Sequence, residues 1–142
     1  MKNGILFTKK FNVYEADLSD IGLGVSPCII IQNDVGNKYC PTTIIMPLMH
    51  KKEEKGCLYF KVRLKNLGDM YVLASYVKCI DKRRLTTNQP IDVIEDSETK
   101  TKLTQFYFAN AGMKVQFVNG KRKIVDMTDS ELDFLYKESE EC

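Results

Sequence analysis

The 142-residue chain is 44% hydrophobic and carries a formal charge of +2. That is enough for one well-formed core and too little for two ordinary domains, so a single domain over residues 1–142 is expected. No apolar run approaches the roughly 18 residues of a spanning helix, and Lys9 and Lys10 follow Ile5, Leu6 and Phe7 too closely for a signal peptide, which argues against a membrane partner and for a cytoplasmic protein.

In chain order, residues 12–18 are expected as a first strand, followed by a loop in which Gly22 and Gly24 interrupt regular structure. Residues 28–32 form a continuous apolar run, the mark of a strand buried on both faces, with residues 42–48 as its partner. Between them, residues 33–41 are too many for a two-residue hairpin, and Asp34, Gly36, Asn37 and Pro41 supply the turn conformations of a wider loop. Leu58, Phe60, Val62 and Leu64 alternate with Tyr59, Lys61 and Arg63, the period of a half-buried strand with a basic outer face, and residues 70–80 add a further β-rich stretch. Five strands by residue 80 point to a small antiparallel barrel.

The C-terminal third changes character. A helix is expected over residues 97–111, capped by Asp96 or Ser97 and ended by Gly112. Met113, Val115, Phe117 and Ile124 flank Asn119-Gly120, a pair that readily takes the positive φ angles of a type I′ hairpin turn. Thr128-x-x-Glu131 is a capping box ahead of Leu132, Leu135 and Tyr136, so a short amphipathic helix closes the chain. The expected fold class is therefore mainly β with C-terminal helices (α+β), a barrel over about residues 11–86 followed by a helix-hairpin-helix extension over about 91–142.

Charge is unevenly placed along this plan. Residues 1–125 carry 20 Lys or Arg against 12 Asp or Glu, whereas residues 126–142 carry Lys137 against seven acids. A basic body attracts polyanions such as RNA or DNA, although a solvated surface gives the same count in many proteins. The five cysteines, Cys28, Cys40, Cys57, Cys79 and Cys142, form no C-x-x-C pair, and three sit in or beside strand-like runs. They are expected to behave as buried apolar groups in a reducing compartment rather than as zinc ligands, and no cofactor or metal is expected.

Several blocks carry a resemblance. Asp17-Leu18-Ser19, then Ile29-Ile30-Ile31-Gln32-Asn33-Asp34-Val35-Gly36-Asn37, then Pro41-Thr42, and later Lys78-Cys79-Ile80-Asp81-Lys82-Arg83-Arg84-Leu85 resemble the MazF/PemK family of toxin ribonucleases in order and approximate spacing, over roughly residues 11–86. The resemblance implies an SH3-like barrel, usually a symmetric homodimer, that in active members cuts single-stranded RNA without a metal and is neutralised by a small antitoxin protein.

It also implies a site. In the family the ribose 2′-hydroxyl attacks its neighbouring phosphate, and the protein must stabilise the charge that develops. An Arg directly before a Pro supplies that charge, and a Thr at the end of the next strand supplies a further polar contact. Those positions are here Ser26, in Gly24-Val25-Ser26-Pro27, and Met49, in Pro47-Leu48-Met49; the loop before Pro27 is also short, and Ser75 and Tyr76 stand where an acidic residue and Gln are common. A Ser hydroxyl can hydrogen-bond a phosphate but cannot neutralise one. The resemblance therefore leaves two function classes: an endoribonuclease with a divergent site, or a catalytically degenerate module that binds RNA or protein, regulatory or phage-encoded.

Candidate residues follow, each with a plainer alternative. His50, the only histidine, sits one residue past Met49 and is a candidate acid or base, or an ordinary surface residue at a strand end. Lys51, Lys52, Lys55, Lys61, Arg63 and Lys65 are candidate RNA-backbone contacts with Tyr59 and Tyr76 as stacking faces, or form a solvated strand face diluted by Glu53 and Glu54. Gln32 and Asn33, with Asp34 and Asn37, either read bases or shape the barrel. Lys121, Arg122 and Lys123 either touch phosphate or ring a solvated turn. The acidic segment 128–142 has the acid-plus-apolar composition that antitoxins of the family use to block the RNA groove, so it either covers a basic groove, in cis or on a dimer partner, or packs Leu132, Leu135 and Tyr136 on the barrel as a capped helix.

Overall fold

The computed structural model describes residues 8–51 and 57–141. Its centre is an antiparallel sheet of seven strands among the described residues. The β-branched run Thr42-Thr43-Ile44-Ile45 suits a pleated, buried strand, and β3 (Thr42–Met49) is accordingly the strand on which the sheet turns. One edge of β3 pairs β2 (Val25–Ile30). The other carries β6 (Lys78–Asp81) on residues 42–45 and β5 (Gly68–Leu73) on Leu48 and Met49. Pro47 falls between those two pairings, where its missing N–H interrupts neither ladder. β4 (Tyr59–Leu64) extends the sheet beyond β5, while β1 (Asn12–Asp17) and β7 (Asp92–Val93) complete the far side.

Side-chain alternation divides the apolar residues between two layers. Val13, Ile29, Met46, Leu48, Phe60 and Val72 point to one face and are buried with Leu103 and Phe106 of α2 (Ser97–Ala109). The Phe60 and Phe106 rings meet at 4.6 Å. Tyr14, Ala16, Cys28, Ile30, Ile45 and Ile80 point to the opposite face and are buried under Ile21, Leu23 and Leu85. β2 thus contributes to both layers, as its unbroken apolar run implies.

Several boundaries differ from the sequence reading. β2 begins at Val25 and ends at Ile30 rather than spanning 28–32, and β1 ends at Asp17. Residues 33–41 are not simply a loop, because Asp34–Tyr39 forms a short helix, α1, whose N-cap Asn33 accepts from the Gly36 N–H at 2.8 Å. The stretch 70–80 is two strands separated by a 3-10 turn at Ala74–Tyr76. Only Cys28 is buried among the described cysteines; Cys40 and Cys79 are exposed and Cys57 is half-buried. Burial pushes the Cys28 thiol up to about 12, so it packs as an apolar group.

The extension contains the expected elements. After α2 come β8 (Met113–Val118) and β9 (Lys121–Asp126), joined by Asn119 at φ 54° and Gly120 at φ 75°, then α3 (Asp129–Glu141). The capping box closes reciprocally: the Glu131 N–H donates to Thr128 Oγ1 at 3.1 Å and the Thr128 N–H to Glu131 Oε1 at 2.9 Å. Leu135 and Tyr136 pack against the main core, which is the packed-helix arrangement for the acidic segment.

Candidate functional site

The two substituted positions lie on one face of neighbouring strands. The β2–β3 register ends at the Cys28–Pro47 pair; Ser26 and Met49 each lie two residues beyond it, on the same face by alternation, where Ser26 pairs with Ala16 and Met49 with Tyr71. The row continues through registered pairs, Met49 with Tyr71 and Tyr71 with Lys61. By alternation, Arg63 and Asp69 share this outer face, opposite the layer that holds Leu48, Phe60 and Val72. The sheet therefore presents a strip running from a hydroxyl at Ser26 to cations at Lys61 and Arg63.

Electrostatics along the strip are one-sided. Lys61 and Arg63 both lie 3.6 Å from the Asp69 carboxylate, with side chains 55% and 86% exposed, so one acid is shared loosely by two cations. Exposed pairs of this kind contribute little and are readily exchanged for a polyanion's phosphates. His50 and Lys51 follow Met49 and are exposed. At the other end, the half-buried Ser26 donates its hydroxyl to Leu23 O at 2.7 Å. The Ala16–Leu85 bridge brings Arg84 alongside β1, but its guanidinium is bound to the Asp20 carboxylate and Asp17 O. Arg84 and Lys78 together hold the Asp20 carboxyl well below the usual carboxylate range, which pins the loop ahead of Ser26 rather than supplying it with a free cation.

The other sequence candidates separate by environment. Gln32 donates to Thr42 O at 3.0 Å and Asn37 Oδ1 at 3.3 Å, and Asn33 caps α1, so both are engaged in shaping the segment. Asn37 is its centre: buried at 1% exposure, it donates to Gln32 O at 2.8 Å and accepts from Thr43 Oγ1 at 2.8 Å, while the buried Lys82 ammonium donates to its carbonyl. Gly36 permits this closeness, because a Cβ there would meet the Gln32 side chain at 3.1 Å. Tyr59 is only 2% exposed and meets Tyr71 edge-on at 6.1 Å, so its ring is part of the packing and offers no face for a base. Tyr76 is half-buried on the 3-10 turn, where Asn110 Nδ2 donates to Ala74 O at 2.9 Å and ties the end of α2 to it. Ser75 accepts from the Leu58 N–H at 2.6 Å. Lys52 and Lys55 lie outside the described residues. Tyr71 is the residue that sequence reasoning passed over; alternation within Asp69–Leu73 places it outward, a signal lost when 70–80 is read as one stretch.

A curled antiparallel sheet with a divergent polar strip at the β2–β3 edge defines a class, and comparison with known proteins agrees. Residues 9–104 match the family described as "PemK-like, MazF-like toxin of type II toxin-antitoxin system", and the chain belongs to that family. It is 34% identical over 89 residues to Endoribonuclease EndoA of Bacillus subtilis (strain 168), covering 57% of this chain and 77% of that protein. Among solved structures, an "Endoribonuclease from Mycobacterial species" aligns with a TM-score of 0.61 at 15% identity, over 78% of this chain and 96% of that one. A MazE-MazF structure from Deinococcus radiodurans aligns at 0.58 and 11% identity, over 76% and 98%. These structural likenesses establish the fold.

Proposed function

We propose that this toxin-family protein acts on single-stranded RNA along the outer strip, as a homodimer held in check by a small antitoxin in the cytoplasm, and that it cleaves far more slowly than it binds. Family membership and an endoribonuclease relative support the RNA substrate; a structural relative described as an endoribonuclease in complex with its cognate antitoxin supports the partner. The observation that supports the slow step is the strip's composition: Met49 is in register with Tyr71 and Tyr71 with Lys61, Ser26 lies on the same face of β2, and a thioether and a neutral hydroxyl stand where the family resemblance leads one to expect a hydroxyl and a cation.

The 2′-hydroxyl attack needs charge stabilisation on the phosphate's non-bridging oxygens as its fifth bond forms. Lys61 and Arg63 hold the RNA backbone, and His50 stands where strand β3 ends, beside Met49. Ser26 assists only by turning its proton away from Leu23 O, and a neutral hydroxyl cannot replace a guanidinium's charge and fork.

The test compares the wild type with Ser26→Arg/Met49→Thr on mixed-sequence RNA in the presence of chelator. Restoring the two groups is expected to raise the single-turnover cleavage rate by about 10²-fold to 10³-fold while RNA affinity changes little. A wild type that already cuts as fast as the double variant overturns the slow-cleavage reading. If His50→Ala then abolishes cutting, the site has been rebuilt around the histidine.

A further inference from the structure

Behind the sheet, and apart from the outer strip, α2, the β8–β9 hairpin and α3 enclose an open groove of about 730 Å³. That volume lies within the range of about 300–1,000 Å³ typical of ligand sites. The family match ends at residue 104, inside α2, so the hairpin wall and the α3 wall belong to the part of the chain that the match does not reach.

Four cations and no acid line the groove: Lys10, Lys100, Lys114 and Arg122. Lys114 is paired with Glu131. The other three make no carboxylate ion pair within 4 Å among the described residues; Asp96, one turn from Lys100, caps Thr99, and the Lys100 charge makes only the smallest contribution to lowering its carboxyl. The Lys10 and Lys100 ammoniums instead sit 4.9 Å and 5.4 Å from the centroid of the same Phe11 ring, two like charges drawn to one aromatic. Phe11 holds φ at 71°, a conformation that bulky residues rarely adopt. Arg122 lies 5.9 Å over Phe117.

Between the cations the surface is apolar. Phe106, Met127 and Leu135 form the inner part, and Val115 and Phe117 form a lip that is 46% and 68% exposed. An apolar concavity with an exposed aromatic lip marks an interaction site. Nucleic acid would satisfy the cations and could stack on the exposed Phe117 ring, but it would leave Met127, Leu135 and Val115 without an apolar partner. The open lip suits an extended chain better than an enclosed small molecule. Charge complementarity then selects the occupant: we propose that this groove docks an acidic peptide segment carrying large apolar side chains, which seat against Phe106, Met127 and Leu135 while its carboxylates reach Lys10, Lys100 and Arg122. The proposal does not rest on the RNA reading, since it uses none of the outer-strip residues.

The experiment selects binders to the full chain from a displayed library of random peptides, then measures one synthetic winner against wild type, Lys100→Glu/Arg122→Glu and Val115→Asp, each checked for an unchanged thermal melt. Expected are winners with net negative charge and several Leu or aromatic residues, an affinity that falls at least about tenfold in both variants, and recovery on the charge-reversed protein when the peptide's acids are exchanged for Arg. Affinity for a short single-stranded RNA should stay the same throughout. Should either variant melt early, Lys100→Gln/Arg122→Gln is measured in its place, with the same loss expected. Basic or uncharged winners overturn the proposal, as does binding indifferent to these substitutions. A parallel tenfold loss of RNA affinity in the charge-reversed variant assigns the groove to nucleic acid instead. A wild-type dimer that becomes monomeric in Val115→Asp assigns it to a second copy of the chain.

Discussion

The barrel, with α2 packed on it, and the hairpin and α3 that follow bury their apolar residues to very different degrees. In the sheet, Val13, Ile29, Met46 and Val72 are fully buried, and two apolar layers share the same strands. The β8–β9 hairpin pairs only with itself and leaves Val115, Phe117 and Ile124 exposed by 46%, 68% and 54%. A lone two-stranded hairpin is marginal in water, so this one depends on its attachments: the Met127 N–H donating to Gly112 O at 2.7 Å, the Lys114–Glu131 ion pair and the packing of Leu135 and Tyr136. The difference teaches that the chain has two levels of local stability, a barrel with α2 that opens only globally and a hairpin with α3 able to open alone. Amide exchange that is slow in β1–β3 and distinctly faster in β8–β9 is the expected signature; uniform protection would break the comparison.

The largest effects belong to the barrel. Phe60→Ala empties a site bounded by Phe106, and losses of this type cost about 3–5 kcal/mol, enough to lower the urea midpoint of the whole molecule. Asn37→Ala comes next. It strips partners from Gln32 O and the buried Thr43 hydroxyl, a cost of about 2–3 kcal/mol on the same global transition. If either substitution shifts only hairpin exchange and leaves the midpoint unchanged, the division of the molecule is drawn in the wrong place.

How much of this is legible in the sequence depends on where the signal resides. Strands β1, β3 and β4, the type I′ turn and the capping box announce themselves through neighbours one to four residues apart, and they are present. α1 is hidden because six residues containing Asp34, Gly36 and Asn37 have no apolar period; it exists through the Asn33 cap and the contacts of Asn37, which come from Gln32, Thr43 and Lys82. β7 is two residues long and exists because Asp92, buried, collects the Asn66 and Leu67 N–H groups at 2.8 Å and 2.9 Å from the far end of β4. Alternation places Tyr59 with Lys61 and Arg63 on the outer face but cannot tell that this end of the face is covered. For the site, resemblance supplies positions 26 and 49, whereas the row joining Met49 to Tyr71 and Lys61 is a matter of register across three strands.

Smaller effects belong to the extension. Thr128→Ala removes the cap of α3 and should cost about 1 kcal/mol, read as faster exchange in α3 with the barrel unchanged. The Lys114 ammonium, with help from the Thr128 N–H, holds the Glu131 carboxyl down to about 2. Because this folded value lies below the ordinary one of 4.5, the contribution is complete above about pH 4.5 and disappears as pH falls toward 2. Exchange in α3 should accelerate across that window, and Glu131→Gln should flatten the change. Asp81, held at about 2 by Arg83, titrates over the same range in the barrel, so the two are told apart by which segment's amides respond.

Phe117→Ser should have the smallest effect on stability, and it sharpens the comparison most because it repeats the chemistry of Phe60→Ala in the other region. The Phe117 ring is 68% exposed, with Arg122 lying over it at 5.9 Å. Little apolar area returns to water on truncation, and no cavity forms, so the global midpoint should move by no more than about 0.5 kcal/mol. A cation stacked on an exposed ring adds about 0.5–1 kcal/mol at most, and its loss should register as faster exchange in Met113–Val118 rather than as global unfolding. A shift in the midpoint comparable with that of Phe60→Ala would mean that the hairpin is a cooperative part of the barrel, and that its aromatic lip is held there for stability and not for a partner.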